Sequence, residues 1–142
     1  MDTSALFRQF VAFTTSVHQI THEMTKDARS EEITLVQYKM LEYLFVSQPV
    51  TISELSDCMH MSMPNTSREL KKLSEKQLCE KAADAEDRRK QYIRLSAKGE
   101  AMMNAAFQSI ETRFNERIKT LSKAELSEIE QAIQVLQSKI LY

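Results

Sequence analysis

Two stretches of this chain hold side chains suited to a polyanion. The first contains Ser62, Pro64, Asn65, Ser67, Arg68, Lys71 and Lys72. An Asn amide pairs a donor and an acceptor at the spacing of adenine N6/N7, and an Arg fork matches guanine O6/N7. Asn65 and Arg68 therefore have the chemistry to read base edges, and Lys71 lies on the same side. Ser62, Ser67 and Lys72 suit phosphate oxygens, which set register without reading sequence. Pro64 offers only apolar contact, such as with a thymine methyl. The second stretch is Asp84-Ala85-Glu86-Asp87-Arg88-Arg89-Lys90. Asp at a tight turn bonds its own backbone, while the consecutive bases Arg88, Arg89 and Lys90 project outward. Arg88 or Arg89 suits a minor groove deepened by A·T-rich narrowing. Either can instead pair with Asp84 or Asp87 and brace the loop, and the sequence leaves the division open.

The charge distribution agrees with that chemistry. The net charge is −1, yet residues 62–98 hold 10 Lys and Arg against 6 Asp and Glu. Electrostatic footprints are local, so the basic middle outweighs the neutral total. Other chemistries are poorly supplied. No nucleophile–base pair, phosphate-cradling glycine loop or full metal set is present, so an enzyme is not expected, nor a cofactor. His18 and His22 stand one helical turn apart beside Glu23, but these are too few ligands for a metal and read as a solvated helix face. Cys58 and Cys79 form no metal spacing and are expected to be buried, inert thiols, with a redox switch as the minor alternative. Phe7, Phe10, Phe13, Tyr38, Tyr43 and Phe45 fit core packing at least as well as a pocket for a small molecule.

These residues need a frame to position them. With 142 residues, 1 Gly and 2 Pro, the chain suits one mainly α domain. Leu6, Phe10, Phe13, Val17, Ile20 and Met24 form a heptad-type seam on a long first helix. A second helix begins near Thr34, carries Val36, Met40, Leu41, Leu44 and Phe45, and ends before Pro49. Val50-Thr51 reads as a stub of strand. Ile52–Met59 reads as a short helix with Ile52, Leu55 and Met59 inward. Ser62 caps the next helix with Pro64 in its first turn, and Met63, Thr66, Leu70 and Leu73 share one face. Leu78–Ala83 and Gln91–Leu95 bracket the charged loop as a hairpin.

Ser96 caps a further helix with the stripe Met103, Phe107, Ile110, Phe114 and Ile118. Ser122 and Glu125 form a capping box before a closing seam at Leu126, Ile129, Ile133, Leu136 and Ile140. Heptad seams at both ends most simply pair with each other and with a second copy. No run of about 18 apolar residues spans a membrane. Met1-Asp2-Thr3 begins without a basic segment and apolar core, so no secretory signal is expected and the cytoplasm is the expected location.

Thr51–Ser62, Asn65-Thr66-Ser67-Arg68, Lys71-Lys72-Leu73, Asp84–Arg89 and Leu95-Ser96-Ala97-Lys98-Gly99 together resemble the MarR family of bacterial transcription regulators. The resemblance covers nearly the whole chain, and its most specific part is the wing followed by Leu-Ser-x-Lys-Gly. It implies a single domain over 1–142, with a winged helix–turn–helix at 33–98 and dimerisation helices at 1–30 and 100–142. It also implies a homodimer straddling a pseudo-palindromic operator on double-stranded DNA, a repressor released by a small-molecule effector. Two departures stand out. Gln77 occupies the place of the usual Gly before the hairpin, and Pro64 and Asn65 replace the usual Ser or Thr. The competing expectation is a protein-interaction module, an anti-repressor or adaptor, with thiol or metal sensing as a further variant.

Overall fold

Each of the six α-helices starts on a Ser, Thr or Asp whose side chain accepts a backbone N–H of its own first turn. Those caps satisfy donors that the helix itself leaves open, which makes the starts sharp. The computed structural model describes residues 2–83, 86–87 and 91–141. Helix α1 spans Thr3–Thr25 and α2 spans Leu35–Ser47, the latter opened by a capping box of Thr34 and Gln37. Strand β1 is Val50–Thr51, followed by α3 at Ile52–Met59 and α4 at Met63–Glu75. Strands β2 (Cys79–Ala83) and β3 (Gln91–Leu95) form the hairpin. Helix α5 runs Ala97–Ile118 and α6 runs Lys123–Leu136, with a π-helical turn at Gln137–Leu141. The architecture is a mainly α winged helix with a three-stranded antiparallel sheet in the order β1-β3-β2.

The core lies under the middle of the chain. Met40, Leu41 and Leu44 of α2 meet Leu55 of α3, Leu70 and Leu73 of α4, Ile93 of β3 and Met103 of α5. Each fully buried side chain of this size contributes roughly 1.5–3 kcal/mol relative to exposure. In the hairpin, Cys79 pairs with Leu95 and Ala83 with Gln91, which turns Ile93 and Leu95 inward. Arg94 and Glu80, directly opposite in that register, form an ion pair at 2.9 Å on the exposed side.

Three expectations need correction. Leu78 is not part of the strand, because its N–H bonds Leu73 O at 3.0 Å as the closing bond of α4. Val36 and Met63 sit on apolar positions of their helices yet are exposed, at 41% and 48%. Val36 faces away from the core that Met40, Leu41 and Leu44 enter. Met63 lies outside that core and instead takes Ser56 Oγ on its sulfur at 3.2 Å.

The terminal helices contrast with this middle. Among the described residues, neither α1 nor α6 contains a buried side chain. Leu6, Phe13 and Val17 on α1, Ile129 and Ile133 on α6 and Ile140 on the π-helical turn remain exposed. The two seams meet only in part, where Phe10 and Phe13 border a hollow with Leu136 and Ile140. Arg113 of α5 ties α1 to the rest. Its guanidinium donates to the carbonyls of Glu23 (2.9 Å) and Met24 (3.3 Å) and to Asp27 Oδ2 (2.7 Å). That bond to Arg113 holds the Asp27 carboxyl below its usual range.

Candidate nucleic-acid interface

Helix α4 presents one closed side and one open side. Thr66, Leu70 and Leu73 are buried, while Ser62, Pro64, Asn65, Ser67, Arg68, Lys71 and Lys72 are all exposed. Ser62 Oγ accepts from Asn65 N at 3.2 Å, and Thr66 Oγ1 donates to Ser62 O at 2.9 Å. The first turn is thereby fixed, and the adjacent Asn65 and Arg68 project from an ordered end. Between α4 and the hairpin lies an open cavity of about 440 Å³, bordered by Ser67, Lys71 and Ser74 on one side and Lys81 on the other. Asp84, Arg88, Arg89 and Lys90 lie outside the described residues, and Asp87 is half-buried.

The turn before α4 and the one after it share an unusual solution. Helix α3 closes with Met61 N bonding Ser56 O and His60 N bonding Asp57 O, which places His60 at φ 53°. Helix α4 closes the same way, with Leu78 N on Leu73 O, Gln77 N on Ser74 O, and Gln77 at φ 63°. This is the six-to-one closure that normally employs glycine in the left-handed region. The chain has a single glycine, and it stands elsewhere. A Cβ on Gly99 would lie 2.0 Å from Leu78 O, so only glycine lets α5 come this close to the end of α4.

That contact belongs to a larger junction. Ser96 Oγ donates to Gln77 O at 2.5 Å, Lys98 Nζ donates to Lys76 O at 3.2 Å, and Ser96 N donates to Leu78 O at 3.1 Å. The Leu-Ser-x-Lys-Gly segment thus satisfies the last carbonyls of α4 while starting α5. Sequence reasoning saw Ser96 as a cap and missed what Lys98 and Gly99 do. Their partners are Lys76 and Leu78, about twenty residues away.

With this geometry in place, comparison with known proteins is direct. Residues 33–90 match the MarR family, from before α2 to the end of the charged loop. Over these residues the chain is similar to the MarR family. Solved structures agree over nearly the full length. A MarR family protein from Bacillus stearothermophilus superposes with TM-score 0.82 at 17% identity, covering 100% of this chain and 99% of that one. S. aureus MepR bound to ethidium bromide gives 0.66 at 22% identity, over 99% of this chain and 97% of the other. A MepR mutant bound to oligodeoxyribonucleotide gives 0.59 at 21% identity, over 99% of each. No curated protein matches by sequence.

Other sequence expectations fall differently on this frame. Cys79 is buried, with Sγ 3.6 Å from Ser74 Oγ, and burial pushes its thiol pKa up. Cys58 is exposed, contrary to expectation. Helix α3 turns Leu55 and Ser56 inward, which leaves Cys58 on the outer side. His18 and His22 line a cavity of about 380 Å³ between α1 and α2, with Tyr38, Lys39 and Glu42 opposite. Glu23 borders a separate hollow beside Arg113 instead. Among the described residues, no group of three His, Cys, Asp or Glu could hold a metal ion.

The aromatic set also divides. Phe10 and Phe13 stand together on α1, Phe45 stacks on Phe107 at 4.8 Å, and Tyr38 is 4% exposed in the core. Tyr38 Oη is buried with no hydrogen-bond partner among the described residues. Burial first, and then the Glu42 carboxylate, push its phenol up to about 12.

Missed altogether was Gln37, a buried polar residue of α2. Its Nε2 donates to Glu69 Oε2 at 3.1 Å, and its Oε1 accepts from Thr34 N and from Lys76 Nζ. Lys76 Nζ also bonds Glu32 O, and Glu69 Oε1 pairs with Lys72 at 3.4 Å. The Gln-three-after-Thr spacing was the one signal available, and it bears on the cap of α2 rather than on the contact with α4.

Proposed function

We propose that this protein is a sequence-specific, double-stranded DNA-binding transcriptional regulator acting as a homodimeric repressor. The observation that carries the reading is the open side of α4. Every polar residue on it is exposed, while its apolar side is closed against the core. Asn65 and Arg68 read bases in the major groove. Ser62, Ser67, Lys71 and Lys72 meet phosphates, and Pro64 meets an apolar base edge. Arg88, Arg89 and Lys90 of the charged loop reach the adjacent backbone and minor groove, braced by Asp84 and Asp87.

The second copy covers the exposed seams of α1 and α6, since contiguous apolar strips of this kind mark interfaces. Two copies present two α4 helices, which requires a pseudo-palindromic site. The oligodeoxyribonucleotide and ethidium bromide complexes of MepR lend support by fold similarity. The effector site is the α1–α2 cavity, where Tyr38 supplies an unpartnered hydroxyl. A small molecule there bears on both a dimer helix and the winged helix, and its binding releases the operator.

The test is selection of duplexes by the full-length protein from a random-sequence pool, followed by footprinting upstream of its own gene. A palindromic consensus and an affinity falling steeply with salt are expected. Arg68→Ala should cost about 1–3 kcal/mol on the selected duplex and relax one base position per half-site. Equal losses on selected and random duplexes would remove base reading from Arg68.

A further inference from the structure

Glu69 lies on α4 one turn from Asn65 and next to Arg68, on the helix that presents the cations. A carboxylate there is a liability for a DNA-binding face, because it repels phosphates and can accept from cytosine N4. The side chain is nevertheless held back. One oxygen takes the Gln37 amide at 3.1 Å and the other takes Lys72 at 3.4 Å. Gln37 can hold it because it is itself pinned at 2% exposure by Thr34 and Lys76. The chain of contacts runs from the cap of α2 to the middle of α4 without a gap.

We propose that Gln37 is a positioning residue for base discrimination: by tethering Glu69 it keeps that carboxylate off the DNA and fixes which cations of α4 meet it. Gln37 touches no DNA and acts only through Glu69. The inference rests on the DNA-binding reading above. Simple α2–α4 packing is its competitor, and packing alone would change stability without changing discrimination.

The experiment compares full-length variants on the tightest duplex that the wild-type protein selects and on a random duplex of equal length. Gln37→Glu keeps an acceptor for Thr34 N and Lys76 but sets a carboxylate against Glu69. Its selected-to-random affinity ratio should fall about tenfold. Adding Glu69→Gln reverses the bond, with the new amide donating to the new carboxylate, and should return the ratio to within about twofold of wild type. If Gln37→Glu does not fold alone, Gln37→Met removes the amide at similar bulk and carries the same expected fall. A lowered thermal midpoint with an unchanged ratio overturns the proposal, as does a folded double variant without recovery. A wild-type protein that selects no duplex fails earlier and removes the DNA-binding reading itself.

Discussion

The middle and the ends of this molecule solve the same burial problem in opposite ways. Residues 33–106 hold a buried core within one chain, from Ile33 through Met103 and Ala106, while Leu35, Val36, Val46 and Met63 stay exposed. The seams of α1 and α6 are apolar too but only partly covered, with Phe10, Ile20, Met24 and Leu136 half-buried and Ile133 50% exposed. The difference teaches that a heptad pattern specifies a surface to be matched, while a mixed pattern over short elements specifies a core. One region holds its own core, and the other leaves an apolar surface open.

The contrast can be broken most strongly at α6. Ile129→Asp with Ile133→Asp should place an unpaired charge in the proposed dimer seam, costing roughly 3 kcal/mol for each. Sedimentation should then report monomers, while far-ultraviolet circular dichroism still reports a folded winged helix. A dimer that survives, or a wild-type protein that is monomeric throughout, would abolish the distinction. Gly99→Ala attacks the other region. Its Cβ would collide with Leu78 O, and about 2 kcal/mol of stability should be lost at every protein concentration. Thermal midpoints measured over a dilution series separate the two cases.

A smaller effect sharpens the boundary where α1 meets α2. Tyr38→Phe removes a buried hydroxyl that has no hydrogen-bond partner among the described residues and should raise neutral-pH stability by about 1 kcal/mol. Alkaline titration gives the sign independently. The phenol is raised from 10.0 to about 12 on folding. Its contribution is therefore complete below pH 10 and lost as pH climbs through about 12. Absorbance of ionised tyrosine should lose its latest-titrating group in the variant, while Tyr43, also raised by burial, remains. The smallest change lies at the end of α4. Gln77→Gly should stabilise by about 0.5–1 kcal/mol, because φ 63° suits glycine without strain. Unfolding in denaturant resolves a change of that size, and a destabilised variant would mean the Gln77 side chain has a role of its own.

What the sequence made legible follows the range of each interaction. Ser62, Ser96 and Ser122 were readable as caps because their bonds reach three residues ahead. The face of α4 was readable because one helix has one period, so burying Thr66, Leu70 and Leu73 opens the rest. Val36 and Met63 misled because periodicity assigns a side of a helix without saying what covers it. Cys58 misled for a related reason, since composition makes cysteine a core residue but α3 offers its core positions to Leu55 and Ser56. The Gln37–Glu69 bond joins residues 32 apart and left no local trace. His60 escaped notice because histidine, though enriched at positive φ, is far more often found elsewhere.

The junction of α4 and α5 has a mechanical consequence. Ser96, Lys98 and Gly99 fasten the tail of one helix to the head of the next through three consecutive carbonyls, those of Lys76, Gln77 and Leu78. Such a junction should make the two helices move as one lever, so that a rotation of α5 carries α4 with it. Helix α4 then has no pitch adjustment of its own. Superposing free and DNA-bound forms on residues 66–106 should leave no residual motion between them. In the proposed dimer, fitting an operator becomes a matter of how far apart two levers are held.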